Sequence, residues 1–210
     1  MKTLICHSPV LYSRYLEFQE KSRTKRKESL IFLEHPATIT SGTSANEENL
    51  LVSLSQLERQ KISFLKVNRG GDFTAHEPGQ LVIYPHLDLK KRNLSVTDYI
   101  GIFRNSLSFS IQKTWGLEVS DNPEKPGLYV STPYEKKLVS FGITFKSFFT
   151  SFGAGFNISN SLETFQYIHP CGGQAGDMIS ISSLKLEPGL KDRFIQKFIQ
   201  EFFKKLESKG

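Results

Sequence analysis

The chain has 210 residues, 38% hydrophobic and 12% aromatic with seventeen phenylalanines, enough apolar material to pack a core and too much for a disordered chain. Lys and Arg outnumber Asp and Glu by 27 to 21, giving a formal net charge of +6 that favours acidic partners. Two cysteines, Cys6 and Cys171, are too few for a disulfide framework, and no CxxC or Cys/His spacing points to zinc.

The opening Met1-Lys2-Thr3-Leu4-Ile5-Cys6-His7 holds an apolar run shorter than the ~7–15-residue core of a signal peptide. No run approaches the ~18–20 residues of a membrane helix. The expectation is a soluble cytoplasmic protein with reduced thiols, one of which can serve as a nucleophile. Residues 11–25 place Tyr12, Tyr15, Leu16 and Gln19 at helix-like spacing. The basic run Arg23-Thr24-Lys25-Arg26-Lys27 then reads as a solvated connector to a strand, or as a docking patch for an acidic protein. Nucleic-acid binding is disfavoured, because no aromatic residues interleave with the basic ones.

Strand-like runs follow at 30–33, 64–67 and 80–84. Ser95-Val96-Thr97-Asp98 predicts a helix start with Ser95 as cap, and Tyr99, Ile100, Phe103, Leu107 and Ile111 continue it as an apolar stripe. Further strands are expected at 127–131, 137–145 and 147–158. A last helix spans about 190–206, with Phe194, Ile195, Phe198, Ile199, Phe202 and Leu206 on one face. No repeat or linker divides the chain. The expected fold class is α+β, a single domain over residues 1–210 in which a mixed β-sheet is flanked by helices.

Three segments can carry chemistry. Arg69-Gly70-Gly71-Asp72-Phe73-Thr74-Ala75-His76 joins a cation and an imidazole to glycines that admit a ligand close to the backbone; a hairpin turn is the plainer reading. It is no phosphate loop, since neither GxGxxG nor GxxxxGK[ST] is present. In His169-Pro170-Cys171-Gly172-Gly173, glycines leave room and N–H groups around a sulfur, although a lone cysteine is commonly a small buried hydrophobe. That reading is kept for Cys6. A thiolate needs a nearby cation or base, and His35, His76, His169, Lys136 and Lys137 all qualify. Lys137 either opens an apolar strand, partly desolvated, or caps a strand end in water. Gly153-Ala154-Gly155 is a third stretch, read as a pocket wall or a strand bulge.

Taken in order, these segments resemble the octanoyltransferases of lipoic acid biosynthesis. The likeness runs from about residue 33 to 184: Leu33-Glu34-His35-Pro36, then the Arg-Gly-Gly-x-x-Thr-x-His-x-Pro-Gly-Gln-Leu block at Arg69 to Leu81. Lys137 to Gly142 follows, then Phe152-Gly153 to Asn157, and Pro170-Cys171-Gly172. The resemblance implies the fold of biotin and lipoate protein ligases. It implies Cys171 as acyl-thioester nucleophile and Lys137 as the group that lowers its pKa and moves protons. An acyl pocket would be lined by Arg69, Gly70, Gly71, Asp72, Phe73, Thr74, Ala75 and His76, by Ser140, Phe141 and Gly142, and by Gly153, Ala154 and Gly155.

The implied donor is octanoyl-acyl carrier protein. The implied acceptors are lipoyl domains of 2-oxoacid dehydrogenase complexes and the glycine cleavage H protein, in the first step of endogenous lipoate synthesis. Thioester to amide is downhill, so neither ATP nor a metal or other cofactor is expected. Ala75, Glu77 and Phe152 depart from the family pattern at an aromatic, a glycine and a histidine, which bears on substrate fit. The rival readings are an ATP-dependent lipoate or biotin protein ligase and a non-catalytic carrier-protein-binding domain of the same fold.

Overall fold

The computed structural model describes residues 1–122, 125–170 and 173–209, with Thr132 described by its backbone alone. Among these residues the strands form two sheets. The larger runs in the spatial order β1 (Lys2–Ile5), β2 (Ser29–Leu33), β6 (Gln80–His86), β10 (Phe149–Asn157), β9 (Tyr134–Lys146), β8 (Gly127–Thr132) and β7 (Ser120–Asp121). The smaller runs β4 (Ser63–Lys66), β3 (Thr38–Ser41) and β5 (Phe73–His76). Only the β1–β2 and β3–β4 pairs are parallel, so the sheets are mixed.

The helices are α1 (Tyr12–Thr24), α2 (Leu54–Arg59), α3 (Val96–Trp115) and α4 (Lys191–Glu207). At the start of α3 the Asp98 N–H donates to Ser95 Oγ at 3.0 Å, and the Ser95 N–H donates to the Asp98 carboxylate at 3.3 Å. These two bonds satisfy donors that a helix start otherwise leaves orphaned. Gly116, at φ 68°, ends the helix in the left-handed conformation.

Strand alternation sends the two faces of the large sheet to different partners. Leu30 and Phe32 of β2 and Leu81 and Ile83 of β6 pack under Tyr99, Phe103, Leu107 and Ile111 of α3 and the phenylalanines of α4. The intervening Ile31, Leu33, Val82 and Tyr84 pack under Tyr12 and Tyr15 of α1. A third cluster, with Ile39, Leu57, Ala75, Phe165 and Ile168, backs the small sheet. No helix among the described residues is long and apolar enough to cross a membrane.

The run 147–158 is shorter than expected. Ser147 and Phe148, at φ 51° and 60°, form the turn between β9 and β10, and the strand begins at Phe149. Strands β1, β3, β5 and β7 and the six-residue α2 are additions to the sequence reading. Cys6 is exposed just beyond β1, so the buried-hydrophobe reading fails for it.

Candidate active site

A cleft opens between the α1 side of the large sheet and the small sheet. From β6 it takes Gln80, Val82 and Tyr84; from β9, Lys137 and Ser140 to Gly142; from β10, Phe152 to Gly155. The β5 side supplies Arg69, Gly71, Phe73, Thr74 and His76, and Tyr12, Pro126 and Pro170 complete the lining. Three distant motifs of the sequence thus converge on one cavity.

Gly70, Asp72 and Ala75, expected in its lining, do not line it. Alternation along β5 turns Ala75 into the Ile39–Phe165 cluster while Thr74 and His76 face the cleft. Asp72 turns away from the cleft and stays buried, its carboxylate accepting from the Asn46 N–H at 3.1 Å and from Asn49 Nδ2. Gly70 lies against the Ile143 carbonyl, which a Cβ would meet at 3.0 Å. Cys171 and Gly172 lie outside the described residues. Their chain neighbour Pro170 lines the cleft, and the Gly173 N–H donates to the Pro170 carbonyl at 3.1 Å.

Arg69 is buried, and its guanidinium knits the small sheet to the loop before it. Nη2 donates to the Thr40 carbonyl at 2.7 Å and to Thr40 Oγ1 at 2.9 Å, and Nη1 donates to the Gly70 carbonyl at 3.1 Å. Gly142 makes room for it, since a Cβ there would stand 2.9 Å from Arg69 Cδ.

Lys137 is the fourth residue of β9 and only 7% exposed, so it does not cap a strand end in water. Its Nζ lies 5.3 Å from the centre of the Tyr129 ring, whose hydroxyl donates to the Lys125 carbonyl at 2.7 Å. A ring face in this position attracts an ammonium.

The histidines and tyrosines at one end of the cleft, beside the Arg69 guanidinium, are held uncharged by burial. The Val10 carbonyl, 2.6 Å from His35 Nδ1, takes a hydrogen there, which leaves Nε2 to accept from the Tyr84 hydroxyl at 3.0 Å. Burial lowers His35 to about 4, and burial with the His35 neighbour lowers His76 to about 3. Tyr12 is pushed up to about 12 and Tyr84 well above its ordinary value, again by burial. His76 Nδ1 sits 2.7 Å from Gln80 Oε1, and Gln80 Nε2 donates to Asn157 Oδ1 at 2.9 Å. Near neutral pH His76 is therefore uncharged.

The profile of the lipoyl protein ligase A/B catalytic domain matches residues 12–203. The chain belongs to that family. An octanoyltransferase of Leptospira interrogans is 49% identical over 193 residues, covering 92% of this chain and 89% of its own. One of Solibacter usitatus is 36% identical over 199 residues, covering 91% and 88%. The enzyme class that follows from these relatives is acyltransferase. Among solved structures, lipoate-protein ligase A bound with ATP superposes with a TM-score of 0.75 at 14% identity, over 98% of this chain and 85% of that one. A bipartite lipoate protein ligase from Thermoplasma acidophilum gives 0.70 at 15%, over 98% and 83%. At such identities these two speak for the fold alone.

Tyr12, Val82 and Pro126 line the cleft without any motif to announce them. For Tyr12 the signal was its place on the buried stripe of α1. Pro126 offered none.

Proposed function

We propose that the chain transfers an octanoyl group from acyl carrier protein to a lysine of a lipoyl domain through a thioester on Cys171. The observation that carries this is Lys137. It is a buried cation on a ring face, in the same cleft as Pro170, the residue before Cys171. The Cys171 thiolate attacks the thioester carbonyl, and the carrier thiol leaves with a proton drawn from Lys137. The acceptor lysine's amine then attacks the acyl-cysteine, forms the amide and loses a proton to Lys137 as the thiolate departs. N–H groups around the cysteine would hold the oxyanion, a contribution of roughly 2.7–4 kcal/mol per donor where such donors have been measured.

The buried aromatic rings at one end of the cleft suit an alkyl tail, and a chain of net charge +6 suits acidic carriers. The test is mass spectrometry after incubation with octanoyl-acyl carrier protein. An octanoyl adduct that maps to Cys171 and disappears in Cys171→Ala (about one acyl group per chain, the expectation of a covalent route) supports the reading. An octanoylated lipoyl domain formed equally well by Cys171→Ala would sink it.

A further inference from the structure

Strand β5 is bracketed by two buried carboxylates, Asp72 before it and Glu77 after it. The Glu77 carboxylate accepts from Asn160 Nδ2 at 3.0 Å, from the Leu162 N–H at 2.5 Å and from the Thr164 N–H at 2.9 Å. Leu162, at φ 67°, is the corner from which the short 3-10 turn Glu163–Tyr167 departs towards Pro170. Asp72 works at the other end of this strap. It accepts from Asn49 Nδ2, and the Asn49 carbonyl accepts from the His169 N–H at 2.8 Å. The Leu51 N–H donates to the Tyr167 carbonyl at 2.9 Å beside it.

Every one of these side-chain contacts presents a donor to a carboxylate oxygen, which only an acceptor-only group satisfies throughout. Three of these donors, on Asn160, Leu162 and Thr164, lie on the strap itself, which runs on to Pro170, the residue before Cys171. We infer that Asp72 and Glu77 are positioning residues that clamp residues 160–170 to β5 and so hold Pro170, the residue before Cys171, in the cleft wall. The clamp reaches the cleft wall as well, because Asn160 Nδ2 also donates to Asn157 Oδ1 at 3.2 Å, and Asn157 in turn holds Gln80 beside His76.

The inference rests on the proposed role of Cys171, but its test does not. Glu77→Gln and Asp72→Asn keep the shape and turn an amide NH2 towards donors. The expected result is a fall of about 10- to 100-fold in the rate at which Cys171 is alkylated by iodoacetamide, as the thiol loses the cation that lowers its pKa, and octanoylated by the thioester, as about 1 Å of misplacement produces. The KM for the donor should stay within about twofold of wild type, because neither group touches the cleft. Hydrogen exchange should quicken at residues 160–170 while β2, β6 and β10 stay protected. Asn49→Ala, which cuts only the link between Asp72 and the strap, serves if a carboxylate variant does not fold; it should show a smaller change in the same sense. Alkylation rates within about twofold of wild type in the folded variants would overturn the clamp. Slowed alkylation in a protein whose wild type takes no octanoyl group would leave the clamp standing and remove the proposed reaction.

Discussion

The stem of Lys137 occupies the space a side chain at Gly127 would need. A Cβ on Gly127 would stand 3.0 Å from Lys137 Cε, 3.2 Å from its Cδ and 2.7 Å from the Val139 carbonyl oxygen. Glycine on β8 is therefore part of how Lys137 on β9 reaches the cleft. Gly127→Ala is expected to push the lysine stem aside and strain the β8–β9 pairing, at a cost of about 1–3 kcal/mol. In single-turnover assays the octanoylation rate should fall by more than that loss of stability explains, measured at a temperature where the variant is fully folded. A normal rate in folded Gly127→Ala would show that the stem has another path.

Removing the ammonium itself separates chemistry from packing. Lys137→Met keeps the apolar stem and should lower acyl transfer by about 10²–10⁴-fold, the range of a proton-transfer group. Tyr129→Leu should do less. It withdraws a ring face worth about 0.5–2 kcal/mol, whereas Tyr129→Phe keeps the face and loses only the bond to the Lys125 carbonyl. The ordering Lys137→Met, then Tyr129→Leu, then Tyr129→Phe in single-turnover rate is the expected outcome. Equal effects from the two Tyr129 variants would assign that residue to packing.

Phe152 shows a feature that sequence alone did not disclose. The β6–β10 ladder ends at Ala154–Ile83, and Pro85, two residues on, has no N–H to offer. Phe152 adopts φ 60°, and its N–H leaves the ladder to donate to the Tyr15 hydroxyl and to Gln19 Oε1, both at 3.1 Å. The flip turns its ring towards α1, although Ala154 and Phe156 on the same strand face α3 and α4. It also draws β10 against β6, so that a Cβ on Gly153 would lie 2.0 Å from the Ile83 carbonyl oxygen. Gly153→Ala should cost about 3 kcal/mol, a fall in Tm of roughly 6–12 °C for a chain of this size. Gly176→Ala, where a Cβ meets nothing within 4 Å, is the control that should leave Tm unchanged.

What the sequence made legible divides along physical lines. Helices α3 and α4 could be read because their stripes recur every three or four residues and α3 carries its own cap, a local bond needing no tertiary partner. The four-residue strands β1, β3 and β5 could not, because pairing and burial decide such short segments rather than propensity. Within the cleft, motif order put Arg69, His76, Ser140 and Gly153 in place. Ala75 was assigned to the lining because a motif is contiguous, whereas a strand sends alternate residues to opposite faces; Asp72, just before the strand, is drawn away by its bonds to Asn46 and Asn49. Tyr12 enters from a helix whose docking no local pattern encodes.

The three buried histidines make a prediction about acid. Burial lowers His35 to about 4, His86 to about 4 and His76 to about 3, whereas each titrates near 6.5 in an unfolded chain. Above that pH both states are neutral at these rings, and their contribution to stability is fully present. As pH falls below about 6.5 the unfolded state takes up protons that the folded state refuses, and stability drains until the folded values are reached. Each ring then costs about 1.4 kcal/mol per pH unit, so three of them lose about 4 kcal/mol per unit in the steepest part, near pH 5. His86 lies outside the cleft, 3.3 Å from the Tyr15 hydroxyl and 3.4 Å from Ser29 Oγ. His86→Gln removes one of the three protonations, so urea midpoints measured from pH 7 to 4.5 should fall about one-third less steeply than in wild type. A slope unchanged by that substitution would mean the acid sensitivity arises elsewhere.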